Sequence, residues 1–206
     1  MTIAPPRNAR DRLLDAALLL IRQKGYAATS VDDLCRAAGV TKGAFFHHFA
    51  SKEDLAVAAA GHFSAMADDI FETAPYRMLS DPLDRLLGYV AFRRSILDGA
   101  LADYTCLLGT MVQEAYATSP AIRAACDAAL SHHVDTLAPD VAEAIRRHRP
   151  DAPFTAESLA YHMQTVIQGA FIFAKAKGGP EIAAESLDHL SRYIALLFGA
   201  TRKKEE

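Results

Sequence analysis

Hydrophobic residues recur at helical spacing along almost the whole chain. In the first predicted helix, from Asn8 to Lys24, the apolar residues Leu14, Leu18 and Ile21 define one buried face. Further helices are predicted over residues 52–74, 81–97, 103–117, 119–148, 155–176 and 180–199, and two short ones within 29–49. No segment alternates apolar and polar residues with enrichment in Val, Ile and Thr, so no sheet is expected. The pattern predicts an all-α fold of about nine helices.

The stretch from Thr29 to Phe49 has the pattern of two short helices joined by a tight turn. Thr29 and Ser30 precede two acidic residues and so open the first helix, and Gly39 closes it because glycine adopts the left-handed conformation most readily. Thr41 caps the second helix, which starts with polar or small residues that allow close approach to a DNA base or phosphate. Any small helical hairpin would share these features, so the spacing alone does not establish DNA binding.

The order of residues in this stretch resembles that of the TetR family of bacterial transcriptional regulators. The matching residues are the lead helix ending at Gly25, then Thr29, Val31, Leu34, residues 37–40, Lys42, Gly43, Phe46, His48, Phe49, Ser51 and Lys52. The strong match covers about the first quarter of the chain, and beyond it only helix order and lengths are similar. The resemblance implies a three-helix DNA-binding domain over residues 1–51 and an effector-binding and dimerisation domain over residues 52–206. It also implies a homodimer, paired through the last two helices, on an inverted-repeat operator in double-stranded DNA.

Contacts to DNA are expected from the second short helix and its flanks. Hydroxyls at helix starts suit phosphate oxygens, a lysine can reach a phosphate or a guanine edge, and small residues allow close approach. For His48 a packing role is as well founded as a DNA contact. The expected DNA-contacting residues are Thr29, Thr41, Lys42, Gly43, Ala44, Phe46, His47, His48 and Lys52.

Phe46 departs from the family pattern, which usually has a tyrosine whose hydroxyl bonds a phosphate. Losing one neutral hydrogen bond costs roughly 0.5–1.5 kcal/mol. We therefore expect weaker binding with the same binding mode.

Composition and charge agree with a protein that binds DNA at one end. Residues 1–55 carry eight Lys and Arg against six Asp and Glu, a net charge of +2, and the remainder of the chain carries −5. A positive end on an acidic body suits local phosphate binding. No apolar run is as long as a membrane span, and the first residues lack the apolar core of a signal peptide, so a cytoplasmic protein is expected. Three scattered cysteines suggest neither a disulfide framework nor a zinc site.

An effector site is expected in the larger domain. Methionine and aromatic side chains suit a mostly apolar effector with a few polar anchors, although core packing would explain each of them equally well. The candidates are Phe63, Met66, Ile70, Tyr89, Phe92, Met111, Gln164, Gln168 and Phe171.

Cys106 is a further candidate for sensing. We expect it in the first turn of the 103–117 helix, where free N–H groups lower the pKa of a thiol. Lys175 shares a helical face with Gln164, Gln168 and Phe171, and since lysine is rarely buried unpaired, it could stabilise a Cys106 thiolate. The segments around Cys106 and Lys175 resemble the electrophile-responsive subgroup of the TetR family that includes the N-ethylmaleimide reductase repressor. The alternative is that Cys106 only packs in the interior.

The sequence therefore predicts a TetR-type repressor released from a palindromic operator by a small apolar or electrophilic effector. No cofactor, metal or enzymatic activity is expected, because no histidine falls in a convincing ligand spacing such as HExxH and no phosphate loop appears. Two alternatives stay open. One is a DNA-organising protein without an effector, and the other is a helical enzyme.

Overall fold

In the computed structural model, which describes residues 8–199, the chain consists of helices joined by short connections. The helices are α1 (Ala9–Lys24), α2 (Val31–Ala38), α3 (Lys42–His48), α4 (Lys52–Glu72), α5 (Pro82–Ser95), α6 (Leu101–Tyr104), α7 (Leu107–Ala115), α8 (Pro120–His148), α9 (Ala156–Lys177) and α10 (Glu181–Leu197). A short 3-10 helix, Pro75–Met78, lies between α4 and α5. None of the described residues forms a β-strand, which confirms the expected all-α class. No helix among residues 8–199 is long and apolar enough to cross a membrane.

Several helix starts are set by the capping residues that the sequence places before them. The Asn8 side chain accepts a hydrogen bond from the third residue of α1, and the hydroxyls of Thr41 and Thr155 do the same for α3 and α9. Each bond satisfies an N–H group that the first turn of a helix leaves without a partner. Gly39, with φ of 62°, closes α2 in the left-handed conformation that favours glycine. The caps at Thr41 and Gly39 are as expected from the sequence.

The single helix predicted over residues 103–117 is wrong. Asp103 lies inside the short helix α6, where its carboxylate accepts a hydrogen bond from the N–H of Ala100 at 2.7 Å. The backbone is extended at Cys106, which is therefore the N-cap residue of α7 rather than part of its first turn. This break raises the number of α-helices in the described residues from the expected nine to ten.

The chain divides into two compact units. Of the described residues, the first unit comprises 8–67 and 105–130, and the second unit comprises 68–104 and 131–199. This division differs from the boundary expected at residue 52, because α7 and the start of α8 belong with α1–α3. The reason is non-local packing, since α7 contacts α1.

The first unit has its core where α1 meets α2, α3 and α7. Leu13 and Ile21 of α1, Leu34 of α2 and Phe45 of α3 are buried, as is Met111 of α7. Burying apolar area of this kind is the main stabilising contribution to such a small helical unit. This packing holds α3 against α1 and leaves the opposite face of α3 exposed to solvent.

In the second unit, α10 packs against both α9 and α5. Met163 and Ile167 of α9 and Leu187, Leu190 and Ile194 of α10 are buried between these helices. These residues form a buried stripe on the last two helices that serves the core of the chain itself.

Candidate nucleic-acid interface and effector site

Helix α3 presents a polar and small-residue surface to solvent. Its inner face is anchored by Phe45, which is fully buried, and by Phe49 at its C-terminal end. On the outer face Lys42, Gly43, Phe46 and His47 are exposed, and Ala44 and His48 are half-buried. The side chain of Phe46 is 57% exposed, whereas phenylalanine is usually buried in a protein or in an interface. These residues are the ones that a helix would offer to a DNA groove.

Lys42 stands at the first position of α3 and reaches back to α2. Its ammonium lies 2.7 Å from the carboxylate of Asp32, and this hydrogen bond raises the pKa of the lysine. Lys42 is therefore fully charged near neutral pH. Both partners are exposed, so the pair is a weak one that a phosphate can replace.

Thr29 is not placed to contact a phosphate, contrary to the expectation from sequence. Its side chain is 1% exposed, and its hydroxyl donates to the carbonyl oxygen of Gly25 at 2.7 Å. The N-cap residue of α2 is Ser30, which forms a capping box with Asp33. Thr29 therefore closes the turn after α1. Thr41 is exposed, although its hydroxyl already accepts a hydrogen bond from the N–H of Ala44.

Lys52, at the start of α4, is half-buried and engaged within the first unit. Its ammonium donates to the carbonyl oxygen of Tyr26 at 3.0 Å and lies 4.2 Å from the centre of the Tyr26 ring. Burial lowers the pKa of Lys52. A phosphate contact by the same ammonium stays a prediction, and the free donors of the NH₃⁺ group would serve it.

Glu114, in the last turn of α7, holds the turn between α1 and α2. Its carboxylate accepts a hydrogen bond from the N–H of Ala27 at 2.7 Å. A side-chain bond from Ser119 to Glu53 links the starts of α8 and α4 in the same unit. The sequence contains no local signal for the Glu114 contact, because the two bonded residues are 87 positions apart.

The second unit contains a polar group built around the hydroxyl of Tyr89, which we call the Tyr89 cluster (Tyr89, Arg93, His133 and Gln164). The Tyr89 hydroxyl lies 3.0 Å from Nε of Arg93, 2.7 Å from Nε2 of Gln164 and 3.0 Å from Nε2 of His133. Tyr89 and Gln164 are buried, and Arg93 and His133 are half-buried. The cluster unites three helices, α5, α8 and α9.

The imidazole of His133 is neutral in this setting. Burial, together with the charges of Arg93, His132 and Arg77, lowers the pKa of His133 to about 3. The ring of Phe71 lies against it, with the two ring centres 5.0 Å apart. His133 therefore acts as a hydrogen-bonding group rather than as a cation near neutral pH.

Two family models match the chain. The model for bacterial regulatory proteins of the tetR family matches residues 13–59, and the model for the tetracyclin repressor-like C-terminal domain matches residues 82–190, more than half of the chain. The chain belongs to the TetR family. The first match contains the whole α3 surface, and the second contains all four residues of the Tyr89 cluster. The protein is therefore a TetR-family transcriptional regulator with a DNA-binding helix–turn–helix, and homodimers and ligand binding are typical of that family.

Relatives and solved structures agree with this assignment. The HTH-type transcriptional repressor AcnR of Corynebacterium glutamicum is 28% identical over 207 residues, which cover 97% of this chain and 96% of the relative. The crystal structure of a TetR regulatory protein from Rhodobacter sphaeroides has a TM-score of 0.79 at 26% identity, covering 92% of this chain and 98% of its own. Reduced NemR of Escherichia coli has a TM-score of 0.74 at 24% identity, covering 90% of this chain and 96% of its own, and shows the shared fold alone. The matches to three further curated relatives, all HTH-type regulators or repressors, span only 20% to 42% of those proteins' lengths.

The residues proposed from sequence for a TetR effector site do not all lie in one unit. Cys106, Phe63, Met66 and Met111 belong to the first unit, and Ile70, Tyr89, Phe92, Gln164, Gln168, Phe171 and Lys175 belong to the second. Among these, the structure brings Tyr89 and Gln164 into direct hydrogen-bond contact. Phe92 lies beside Tyr89, because both rings pack on Phe71. Arg93 and His133 are not among the effector-site residues expected from the sequence.

The three cysteines of this TetR-family chain are all buried. Cys106 Sγ accepts a hydrogen bond from the N–H of Gly109 at 3.4 Å, at the N-terminus of α7. Burial raises the pKa of Cys35, and it raises the pKa of Cys126 to about 12. Whether Lys175 stabilises a Cys106 thiolate stays a prediction. No group of three His, Cys, Asp or Glu side chains within residues 8–199 is arranged to hold a metal ion.

Helices α9 and α10 also carry an exposed apolar face, distinct from the buried stripe. Phe173 is 60% exposed and Leu196 is 73% exposed. The rings of His162 and Tyr193, 5.1 Å apart, join the two helices on this side. Outside the neighbouring backbone of α9, a Cβ atom built on Gly169 would meet no atom of residues 8–199 within 4 Å, so nothing in that part of the fold requires a glycine there.

Proposed function

We propose that this TetR-family regulator is a ligand-responsive repressor that binds an inverted-repeat operator as a homodimer. The observation that carries the proposal is the exposed surface of α3, where Lys42, Gly43 and His47 face solvent on a helix anchored by buried Phe45. The name of AcnR as a transcriptional repressor supports repression rather than activation. Since such a protein acts on the chromosome, we place it in the cytoplasm.

The DNA-binding step is tested by selecting binding sites from random duplex DNA and footprinting the selected site. We expect one protected inverted repeat, with half-sites about 34–36 Å apart, as two recognition helices on a two-fold axis require. Lys42→Ala should lose protection of the site. Where its residual binding can still be measured, the slope of log affinity against log salt should be smaller than that of the wild type by about one per subunit. Lys177→Ala, at the end of α9, is the matched control for the loss of one exposed lysine. Normal binding by Lys42→Ala would show that α3 is not the DNA-reading helix.

The same footprint separates this proposal from the two alternatives. A DNA-organising protein would protect many scattered sites, because it would recognise backbone and DNA deformability rather than one sequence. A helical enzyme would protect none. A single symmetric site therefore supports a specific regulator.

The dimer is tested at Gly169, where the chain leaves room that a second copy would fill. A leucine there should leave the isolated fold intact or stabilise it, since it replaces a glycine inside a helix and its Cβ meets no neighbour among the described residues. In a dimer that uses this face, the added side chain would clash with the partner helix. Gly61→Leu in α4 is the control, because within residues 8–199 its Cβ would also meet nothing within 4 Å.

We expect sedimentation to show a dimer for the wild type and for Gly61→Leu, and a monomer for Gly169→Leu. Full dimerisation of a well-folded Gly169→Leu would place the dimer contact elsewhere. The exposed Phe173 gives a second variant, since Phe173→Glu puts a charge into the same proposed interface.

Release from DNA requires that the effector prefers one arrangement of the recognition helices. Helices α4 and α8 contain residues of both units, so a change in the second unit can reach the first along continuous helices. Within the first unit, α7 is joined to the turn before α2 through Glu114 and Ala27. We assign α7 the role of coupling element for the helix–turn–helix.

Modification of Cys106 is a second candidate trigger, favoured by its position as the N-cap of α7. Limiting N-ethylmaleimide near neutral pH, with each cysteine followed by peptide mass, tests it. Faster modification of Cys106 than of Cys35 and Cys126, slowed by Lys175→Ala, supports a thiol sensor. If Cys106 is as inert as the other two, it only packs and caps α7, and a reversible ligand is the trigger.

A further inference from the structure

The hydrogen-bond count at the Tyr89 hydroxyl determines what the surrounding groups can still do. A hydroxyl offers one hydrogen and two acceptor lone pairs. Arg93 Nε and Gln164 Nε2 donate to the oxygen and occupy both lone pairs. The hydroxyl hydrogen is then directed to Nε2 of His133, which must accept it and so carries no proton there. The remaining imidazole proton of neutral His133 sits on Nδ1.

The Tyr89 cluster therefore keeps several polar atoms unused. Within residues 8–199, the two Nη atoms of Arg93 make neither a hydrogen bond nor an ion pair, and Nδ1 of His133 has no hydrogen-bond partner. The guanidinium of Arg93 instead stacks on the ring of Phe71, 4.6 Å from its centre. A half-buried arginine normally finds a carboxylate, because removing its charge from water is otherwise costly. The guanidinium of Arg93 keeps its two Nη donor groups beside the ring of Phe71.

Neighbouring cations are already neutralised. Arg77 lies 3.3 Å and Arg85 lies 2.8 Å from the carboxylate of Asp140, and Arg85 also pairs with Glu143. Since His133 is neutral, the charge left for a ligand is the single positive charge of Arg93. One planar guanidinium matches one carboxylate, which it can bind through two parallel hydrogen bonds.

We propose that the Tyr89 cluster is the anion-binding end of the effector site, and that the effector is a monocarboxylic acid with a flat or apolar body. The Nη atoms of Arg93 bind the carboxylate through two parallel hydrogen bonds. The half-buried ring of Phe92, which packs on the buried rings of Phe71 and Tyr76, offers the apolar contact for the body. The inference rests on the proposed function only in calling this ligand the effector. It also specifies the chemical class of the effector, which the sequence predicts only as mostly apolar with a few polar anchors.

Binding is measured on the protein without DNA, using 2-naphthoate and its neutral amide, 2-naphthamide. The chain has no tryptophan, so naphthyl fluorescence can be followed directly. We expect 2-naphthoate to bind at least tenfold more tightly than the amide. Arg93→Gln should abolish that preference, and Arg93→Lys, which keeps the charge but not the fork, should retain part of it. Arg94→Gln is the control, since Arg94 is the next residue of α5, exposed and paired with Asp188.

Equal binding of acid and amide would overturn the proposal, and so would an acid preference that survives in a folded Arg93→Gln. Absence of saturable binding by 2-naphthoate and by benzoate at millimolar concentration would overturn it as well. Displacement from the selected operator is then measured separately. Arg93-dependent binding that leaves the DNA complex intact would uphold the anion site and contradict the effector role. A protein that binds no DNA at all would contradict the proposed function without affecting the naphthoate result.

Discussion

His133 makes folding of the regulator sensitive to acid, and the effect can be calculated from its surroundings. An imidazole in the unfolded chain has a pKa of about 6.5, whereas in the folded protein the pKa of His133 is about 3. As the pH falls below about 6.5, the unfolded state binds the proton first, so the free energy of unfolding decreases until about pH 3. Above about pH 7 neither state is protonated, and His133 has no effect on this balance.

The size of the effect follows from the difference between the two pKa values. Each full pKa unit corresponds to about 1.4 kcal/mol, so at about pH 5 the unfolded state gains up to about 2 kcal/mol relative to neutral pH. Replacing His133 by glutamine removes the titrating group and keeps an acceptor for the Tyr89 hydroxyl. The variant should therefore lose less stability than the wild type when the pH is lowered from about 7 to about 5, by up to about 2 kcal/mol.

Urea denaturation followed by circular dichroism at the two pH values gives the four free energies required. Taking the difference between wild type and variant cancels the contributions of the other histidines. His47→Gln, which removes an exposed histidine from α3, is the control and should behave as the wild type. The reasoning is refuted if His133→Gln and wild type lose the same stability, or if the His133 imidazole titrates near its ordinary pKa in an NMR titration.

Three further predictions follow from contacts in the first unit. Thr29→Val should lower the free energy of unfolding by about 1–3 kcal/mol, because it removes the buried hydroxyl that bonds Gly25, whereas Thr29→Ser should keep most of the wild-type stability. Chemical denaturation compares the variants, and equal stability of Thr29→Val and the wild type would contradict the role of this hydroxyl in closing the turn after α1. Glu114→Ala should speed hydrogen exchange of the Ala27 amide at least several-fold, since that N–H loses its carboxylate acceptor; unchanged exchange would remove α7 as a coupling element. Phe46→Tyr should tighten operator binding roughly twofold to tenfold by restoring one hydrogen bond of about 0.5–1.5 kcal/mol to phosphate. If a binding titration shows no gain in operator affinity, residue 46 does not lie next to the DNA backbone.

Local chemistry made the first three helices predictable from the sequence. Capping residues at Asn8 and Thr41 and the left-handed Gly39 act within a few positions of themselves, so their pattern is visible in the chain. The same local pattern failed at Thr29, because it cannot tell which of two neighbouring hydroxyls packs inward. It failed again at Cys106, where an extended residue ends the run of helical backbone between α6 and α7.

The remaining features depend on contacts between residues far apart in sequence. Tyr89 and Gln164 were both candidates by residue type, but their hydrogen bond joins positions 75 apart. Arg93 lies one turn after Tyr89 on α5. Its part in a shared polar site is recognisable only in the folded chain, where α8 brings His133 to the same hydroxyl. Helical periodicity indicates that a face is buried, but it does not identify the helix that covers it.

We propose that α3 of a dimer binds one symmetric operator. The most direct measurement is a footprint of the wild type and of Lys42→Ala on DNA selected from a random pool, with Lys177→Ala as control. We predict one protected inverted repeat for the wild type and the control, and none for Lys42→Ala with its helical content and dimer unchanged. Protection by Lys42→Ala equal to that of the wild type, or protection without two-fold symmetry, would contradict the account.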